Sequence, residues 1–125
     1  MKSILENLNR SLGVTGSAVM TCDGMLVESA ISGPSERLGV GGYDQEALVA
    51  IGSSLVLSTG RALRPLDGAG LALMTVDGSR GKIVLVNAGR AFLLVVTDST
   101  ISLDSTMLDI RVAVERIERK ISLDA

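Results

Sequence analysis

The sequence predicts an α+β fold, an α/β sandwich in which three helices cover a five-stranded antiparallel sheet. Two observations predict it. Helical stripes and short apolar runs follow one another in the order α-β-β-α-β-β-β-α, and tight turns join successive strands, which makes them antiparallel. Hydrophobic residues make up 46% of the 125 residues but aromatic residues only 2%. We therefore expect one domain, residues 1–125, with an aliphatic core.

The first helix is predicted over residues 3–12. Ser3 and Glu6 have the spacing of a capping box, and Gly13 is a plausible stop. The apolar stripe of this helix consists of Ile4, Leu5, Leu8 and Leu12.

Two strands, residues 17–22 and 25–28, are predicted to form a hairpin. They flank Asp23-Gly24, and Asp-Gly between two apolar runs is a strong short-range signal of a hairpin. Residues 31–43 are rich in glycine, serine and proline, so we expect a flexible loop there.

The second helix is predicted to begin at an Asp44 cap and to run to about Arg61. Between Gln45 and Arg61 its only charged residue is Glu46. A helix that is apolar or small nearly all round is buried on more than one side.

Three more strands and a last helix complete the chain. The strands are predicted over residues 71–76, 82–86 and 91–96, and Asp104 is expected to open the helix. The buried stripe of this helix is predicted to contain Met107, Ile110, Val114, Ile117 and Ile121. The side opposite this stripe is charged, so we expect it to be solvated.

The layering of these elements predicts a homodimer. The last three strands do not alternate apolar and polar residues, so both sheet faces are covered. Helices 1 and 3 can cover one face and helix 2 the other. One helix about 10 Å wide cannot cover five strands spaced about 4.8 Å apart, and a second copy of helix 2 would complete the layer. The alternative is a central core helix in a monomer. The predicted interface residues on helix 2 are Leu48, Ile51, Gly52, Leu55, Ser58 and Thr59.

The sequence lacks the residues that several kinds of catalysis, metal binding and phosphate binding require. There is no histidine, which removes the commonest general base and metal ligand. The lone Cys22 is expected to be an inert member of an apolar strand. Gly81-Lys82 is followed by Ile83, where a phosphate-binding loop needs Ser or Thr. We expect no catalytic residue, no metal and no cofactor, and an unrecognised enzyme is the least favoured alternative.

Charge and composition also restrict the partners. A net charge of −2 and few aromatic residues disfavour nucleic-acid binding. The N-terminus lacks the apolar run of a signal peptide, and no apolar run reaches the length of a bilayer span. We expect a cytoplasmic protein that does not insert into membranes.

The order of elements, the Asp23-Gly24 hairpin, the uncharged second helix and the strands at 81–86 and 92–96 resemble the Roadblock dynein-light-chain family. The resemblance covers residues 3–122. It implies a homodimer whose third strands pair edge to edge, giving a continuous sheet, while the second helices pack antiparallel. This adds three residues to the predicted interface, namely Leu71, Leu73 and Thr75.

The resemblance also implies a partner. Many prokaryotic members regulate a small Ras-like GTPase, one bacterial type as its GTPase-activating protein, without supplying an arginine finger. Arg61 and Arg64 would then bind this partner rather than catalyse; otherwise they are charges that suit the C-terminal end of a helix dipole. The competing hypothesis is a structural adaptor, a dimeric scaffold that joins larger proteins without acting on a GTPase.

Overall fold

The computed structural model describes residues 1–31, 45–79, 81–99 and 103–124. The predicted α+β class and element order are confirmed. Ile31 ends the second strand, and the rest of the loop predicted over 31–43, like the predicted Asp44 cap, lies outside the described residues. The elements are α1 (Lys2–Leu8), β1 (Val14–Thr21), β2 (Leu26–Ile31), α2 (Gln45–Ala62), β3 (Leu73–Asp77), β4 (Gly81–Asn87), β5 (Ala91–Asp98) and α3 (Leu103–Asp124).

The sheet has the strand order β2-β1-β5-β4-β3, and all neighbours are antiparallel. β5 lies in the centre, where Leu94 pairs with Ala18 of β1 and with Leu85 of β4. Seven successive residues of β5 are buried, as the uninterrupted apolar run predicts for a strand covered on both faces. β2 and β3 are the two edge strands.

The predicted layers are confirmed by two separate apolar cores. Leu93 and Val95 of β5 belong to the core that also contains residues of α1 and α3. Leu94 and Val96 point to the opposite face, where they share a core with Leu48 and other residues of α2. Alternate residues of one central strand therefore hold the helices on both sides of the sheet.

The first helix begins earlier than predicted. It starts at Lys2, with Met1 as its N-cap and no side-chain cap. Ser3 lies inside the first turn, so the predicted capping box of Ser3 and Glu6 is wrong. The Met1 carbonyl accepts the amide hydrogens of two residues of that turn instead, at 3.2 and 3.3 Å.

The first helix also ends earlier than predicted, at Leu8 instead of residue 12. The Asn9 side chain donates to the Ala30 carbonyl and accepts a hydrogen bond from Ser17 Oγ at 2.8 Å, which ties the chain to the sheet at this point. Leu12 lies beyond that tie and is 83% exposed, so its predicted place in the buried stripe is wrong.

The Asp23-Gly24 turn is confirmed. Gly24 has a φ of +87°, a conformation that favours glycine, and the Thr21 amide donates to the Met25 carbonyl at 2.8 Å across the turn. Cys22 lies in this turn and is exposed, so its predicted place within an apolar strand is wrong.

Candidate functional site: the outer side of α2 and the β3 edge

The most exposed strand of the sheet is β3. It pairs with β4 from Leu73 opposite Val86 to Asp77 opposite Lys82, and its other edge faces none of the described strands. Four of its five residues are exposed, including Leu73 at 46% and Val76 at 39%. An apolar edge with free backbone donors and acceptors is a template for pairing with another strand.

The strand register assigns the residues of β3 to the two faces of the sheet. Met74 is paired with Leu85 and is therefore on the α2 side, where it packs against the core. Leu73 and Thr75 are on the α3 side. The predicted interface residues Leu73 and Thr75 are thus exposed at the edge, but on the face opposite α2.

Leu71 precedes β3 and is half-buried. It packs against the core on the α2 side, and its carbonyl accepts a hydrogen bond from Asn87 Nδ2 at 3.2 Å. Leu71 also lines an apolar groove of about 580 Å³ between the start of β3 and α3. Other apolar residues that line this groove are Leu73, Val86, Met107 and Val114.

The inner side of α2 lies close to the sheet. Leu48, Gly52 and Val56 are buried there. A Cβ added to Gly52 would lie 2.5 Å from Met20 Cε and 3.5 Å from Leu94 Cδ2, so only glycine permits this approach without a shift. Leu48 and Gly52, which the sequence places in the predicted interface, have no surface left for a second chain.

The outer side of α2 carries no charge between Glu46 and Arg61. Its exposed residues are small or apolar, which allows another backbone to approach closely. Of the predicted interface, Ser58 is exposed, whereas Ile51, Leu55 and Thr59 are half-buried on the flanks. The exposed residues between the two charges are Ala50, Ser54, Leu57, Ser58 and Gly60. We call these residues together with the β3 edge the α2–β3 face.

Arg61 and Arg64 are exposed at the C-terminal end of α2. Arg61 lies in the last turn, three residues after Ser58 and hence on the same side of the helix. The Arg64 amide donates to the Arg61 carbonyl at 3.3 Å. Neither guanidinium belongs to an ion pair within the described ranges. The structure therefore places Arg61 on the outer side of α2 and Arg64 in the turn that follows the helix.

One exposed apolar surface was not anticipated from the sequence, the turn end of the β1–β2 hairpin. Met25 is 65% exposed and Leu26 45% exposed. Ser53 Oγ of α2 donates to the Gly24 carbonyl, which fixes this turn against the helix. The available signal was the Asp-Gly pair, because the residue after it must lie at the tip of the hairpin.

Within the described parts of the chain, no three histidine, cysteine, aspartate or glutamate residues are grouped as a metal site would require. None of the described helices combines the length and apolar character needed to span a membrane.

The structure is thus a small α+β domain with an open apolar strand edge beside a helix whose outer side is uncharged. Solved structures share its fold. Myxococcus xanthus MglB superposes with a TM-score of 0.78 at 17% identity, covering 97% of this chain and 94% of that one. The sequence profile of the Roadblock/LC7 domain matches residues 2–98. The chain belongs to the Roadblock/LC7 family, as the sequence resemblance predicts.

Two further relatives cover nearly the whole chain. A Roadblock/LC7 domain from Streptomyces avermitilis superposes with a TM-score of 0.75 at 16% identity and covers 98% of both chains. An uncharacterized protein of Methanocaldococcus jannaschii is 29% identical over 115 residues, which is 92% of this chain and 91% of the relative. α3 lies beyond the profile match, whereas the superposition on the Streptomyces avermitilis domain, which covers 98% of this chain, extends into it.

Proposed function

We propose that this chain is a non-catalytic regulatory domain that forms a homodimer through the α2–β3 face and binds a small Ras-like GTPase, whose nucleotide cycle it modulates. The observation that carries the proposal is the open β3 edge, with Leu73 46% and Val76 39% exposed. The family membership supports it, since the resemblance to prokaryotic Roadblock proteins implies such a partner.

The geometry of the β3 edge supports the proposed dimer. Two antiparallel copies of β3 would pair about a twofold axis perpendicular to the sheet, and this axis keeps both copies of α2 on the same face. The result is a continuous ten-stranded sheet with two α2 helices in one layer. The uncharged outer side of α2 supports this arrangement, because no charge on it needs to be desolvated between Glu46 and Arg61.

The GTPase would dock on the layer that holds the two α2 helices. Arg61 and Arg64 are exposed at the end of each helix, so a dimer presents four guanidinium groups there. Such rim cations attract an acidic partner surface and mainly raise the association rate. We assign them a binding role and no part in phosphoryl transfer.

The test has two stages. Light scattering after size exclusion should give twice the chain mass of 13.0 kDa, and this doubled mass should persist on dilution to micromolar concentration. Binding and hydrolysis are then measured with the small Ras-like GTPases of the same organism, each loaded with GDP or with a GTP analogue. We expect nucleotide-dependent binding and a changed rate of the nucleotide cycle.

A charge-reversal variant refines this test. Arg61→Glu with Arg64→Glu should weaken GTPase binding by about tenfold, mostly through slower association. Arg10→Glu is the matched control, because Arg10 is exposed after α1 on the other face of the sheet. The proposal fails if no GTPase binds in either nucleotide state.

The turn end of the β1–β2 hairpin favours a second candidate, a dimeric adaptor. Met25, Leu26 and Val27 are exposed there, near the edge of the sheet opposite β3. A dimer through β3 leaves this apolar surface free on both copies for a larger protein. Partner binding that is identical with and without nucleotide would favour the adaptor over the regulator.

A further inference from the structure

The outer side of α3 combines charges with three exposed apolar side chains. Leu108 is 73% exposed, Val112 49% and Leu123 86%. The opposite side of the same helix is buried against the sheet through Ile110, Ala113 and Ile117. The exposed apolar residues therefore do not serve the core of their own chain.

Some of the exposed residues of α3 form one stripe that is symmetric along the helix, namely Leu108, Val112, Glu115, Arg116, Arg119 and Leu123. Leu108 and Val112 are one turn apart, and so are Arg119 and Leu123. The midpoint of this stripe lies between Glu115 and Arg116. The pattern is thus apolar at both ends with one acid and one base at its centre.

Such a pattern is complementary to itself when two copies of α3 run antiparallel. Leu108 then meets Leu123 of a second copy, at both ends of the contact. Val112 meets Arg119, whose aliphatic stem can cover it. At the centre Glu115 meets Arg116 twice, once in each direction, because a twofold axis repeats every contact.

We propose that the outer side of α3 is a second self-association surface, on which α3 of another copy of this chain packs antiparallel. Since the stripe lies on the side of α3 that points away from the sheet, and α2 covers the opposite face of the sheet, both contacts can form at once. The inference goes beyond the proposed dimer and does not require it. Where both contacts form, they produce either a closed tetramer, with four times the chain mass, or an open chain of dimers.

This contact is weaker than the proposed dimer. Three exposed apolar side chains and two solvated ion pairs make an interface below the size of stable complexes, so we expect dissociation in the range of about 10–100 µM. Because the central pairs are solvated, added salt weakens the association.

The experiment measures the mass of the full chain by light scattering and sedimentation equilibrium, from about 1 µM to about 500 µM. Glu115→Arg places an arginine against Arg116 of the second copy in both central pairs. Arg116→Glu places a glutamate against Glu115 of the second copy in both pairs. We expect each single variant to abolish the rise of mass with concentration. The double variant E115R/R116E recreates the complementary pairs and should restore it.

Lys120→Glu is the matched control, because Lys120 is exposed on the same helix but lies about a quarter turn from the centre of the stripe. It should leave the rise of mass unchanged. Leu108→Gln removes an apolar end contact without any charge change and should also abolish the rise. Thermal melting of each variant verifies that the fold is retained, as the exposure of these residues predicts.

The outcomes separate this inference from the proposed dimer. A wild-type mass that stays at twice the chain mass at every concentration overturns the α3 contact and leaves the dimer proposal intact. A rise of mass that all variants share overturns the α3 contact as well. A rise from 13.0 kDa that is lost in E115R and regained in E115R/R116E supports the α3 contact and contradicts the α2–β3 dimer.

Discussion

α2 and α3 cover opposite faces of one sheet, and their exposed sides are built in opposite ways. The outer side of α2 has no charge over about four turns, whereas the exposed residues of α3 include both acids and bases on either side of Leu108 and Val112. Charges hold hydration that close contact must remove, and small uncharged residues do not. The comparison teaches that α2 is suited to permanent close packing and α3 to solvated, reversible contact.

The inner sides of the two helices differ as well. α3 is held on the sheet by large residues such as Ile110 and Ile117, which are fully buried. α2 instead uses Gly52 at its closest approach to Met20 and Leu94. A substitution at the closest approach of α2 therefore meets buried side chains, and the end of the Met20 side chain must move to admit it.

The largest effect expected from this comparison is that of Gly52→Lys. The side chain would enter the contact with Met20, which is fully buried, and would carry a charge into an apolar core. We expect the free energy of unfolding to fall by about 3 kcal/mol or more. Urea denaturation followed by circular dichroism measures the change.

Gly60→Lys is the control for that substitution. Gly60 lies on the same helix, but a Cβ added there meets nothing within 4 Å. Because Gly60 belongs to the α2–β3 face, both substitutions are compared in the background of Leu57→Arg, a change that should split the proposed dimer. There we expect Gly60→Lys to leave the stability unchanged or to raise it slightly, because glycine is a poor helix former. Equal losses at both positions would contradict the close approach of α2 at Gly52.

The next effect concerns association. Leu57 is 39% exposed on α2 and Leu108 is 73% exposed on α3. At micromolar concentration Leu57→Arg should halve the measured mass, from that of two chains to the 13.0 kDa of one, because it places a charge in the proposed dimer. Leu108→Arg should leave the mass of two chains unchanged under the same conditions.

The measurement is light scattering after size exclusion, with thermal melting as the check of folding. If Leu57→Arg kept the dimer while Leu108→Arg split it, the roles of the two helices would be reversed. If both variants were dimeric, the contact would rest on the β3 edge alone.

The same contrast decides how much of the molecule could be predicted from the sequence. The buried stripe of α3 was predicted through Ile110 and Ile117, and the structure buries both, because charged residues mark the opposite side. α2 has no charged residue between Glu46 and Arg61 that would indicate its solvated side. Two stripes fit its sequence, one of Leu48, Ile51, Leu55 and Ser58 and the other of Val49, Gly52, Val56 and Gly60. The buried set of Leu48, Gly52 and Val56 takes members from both. Without charges, the inner side of a helix is chosen by tertiary packing.

Long-range contacts explain the errors in α1. The helix ends where the Asn9 side chain bonds to Ala30, 21 residues away, and a local stripe cannot reveal that contact. Leu12 consequently lies outside the helix and outside the core. At the candidate site, β3 is an edge strand because the strand order places β5 between β1 and β4. The periodicity of single strands does not determine that order, so periodicity alone could not predict the open edge.

The smallest expected effect compares the turns that lie beside the two helices. Gly24 and Gly89 have nearly equal φ values, +87° and +82°, so an alanine at either position costs a similar strain of about 1 kcal/mol. A Cβ at Gly24 would lie 3.2 Å from Ser53 Cβ of α2, whereas a Cβ at Gly89 would lie 3.6 Å from Glu118 Cγ of α3. The first distance forces a shift of turn or helix, and the second is an ordinary contact with a flexible side chain.

We therefore expect Gly24→Ala to reduce the free energy of unfolding by about 2 kcal/mol and Gly89→Ala by about 1 kcal/mol, measured by urea denaturation at equal protein concentration. Equal losses would mean that the hairpin turn is free to move away from α2, and the difference between the tightly seated helix and the solvated one would then be confined to Gly52.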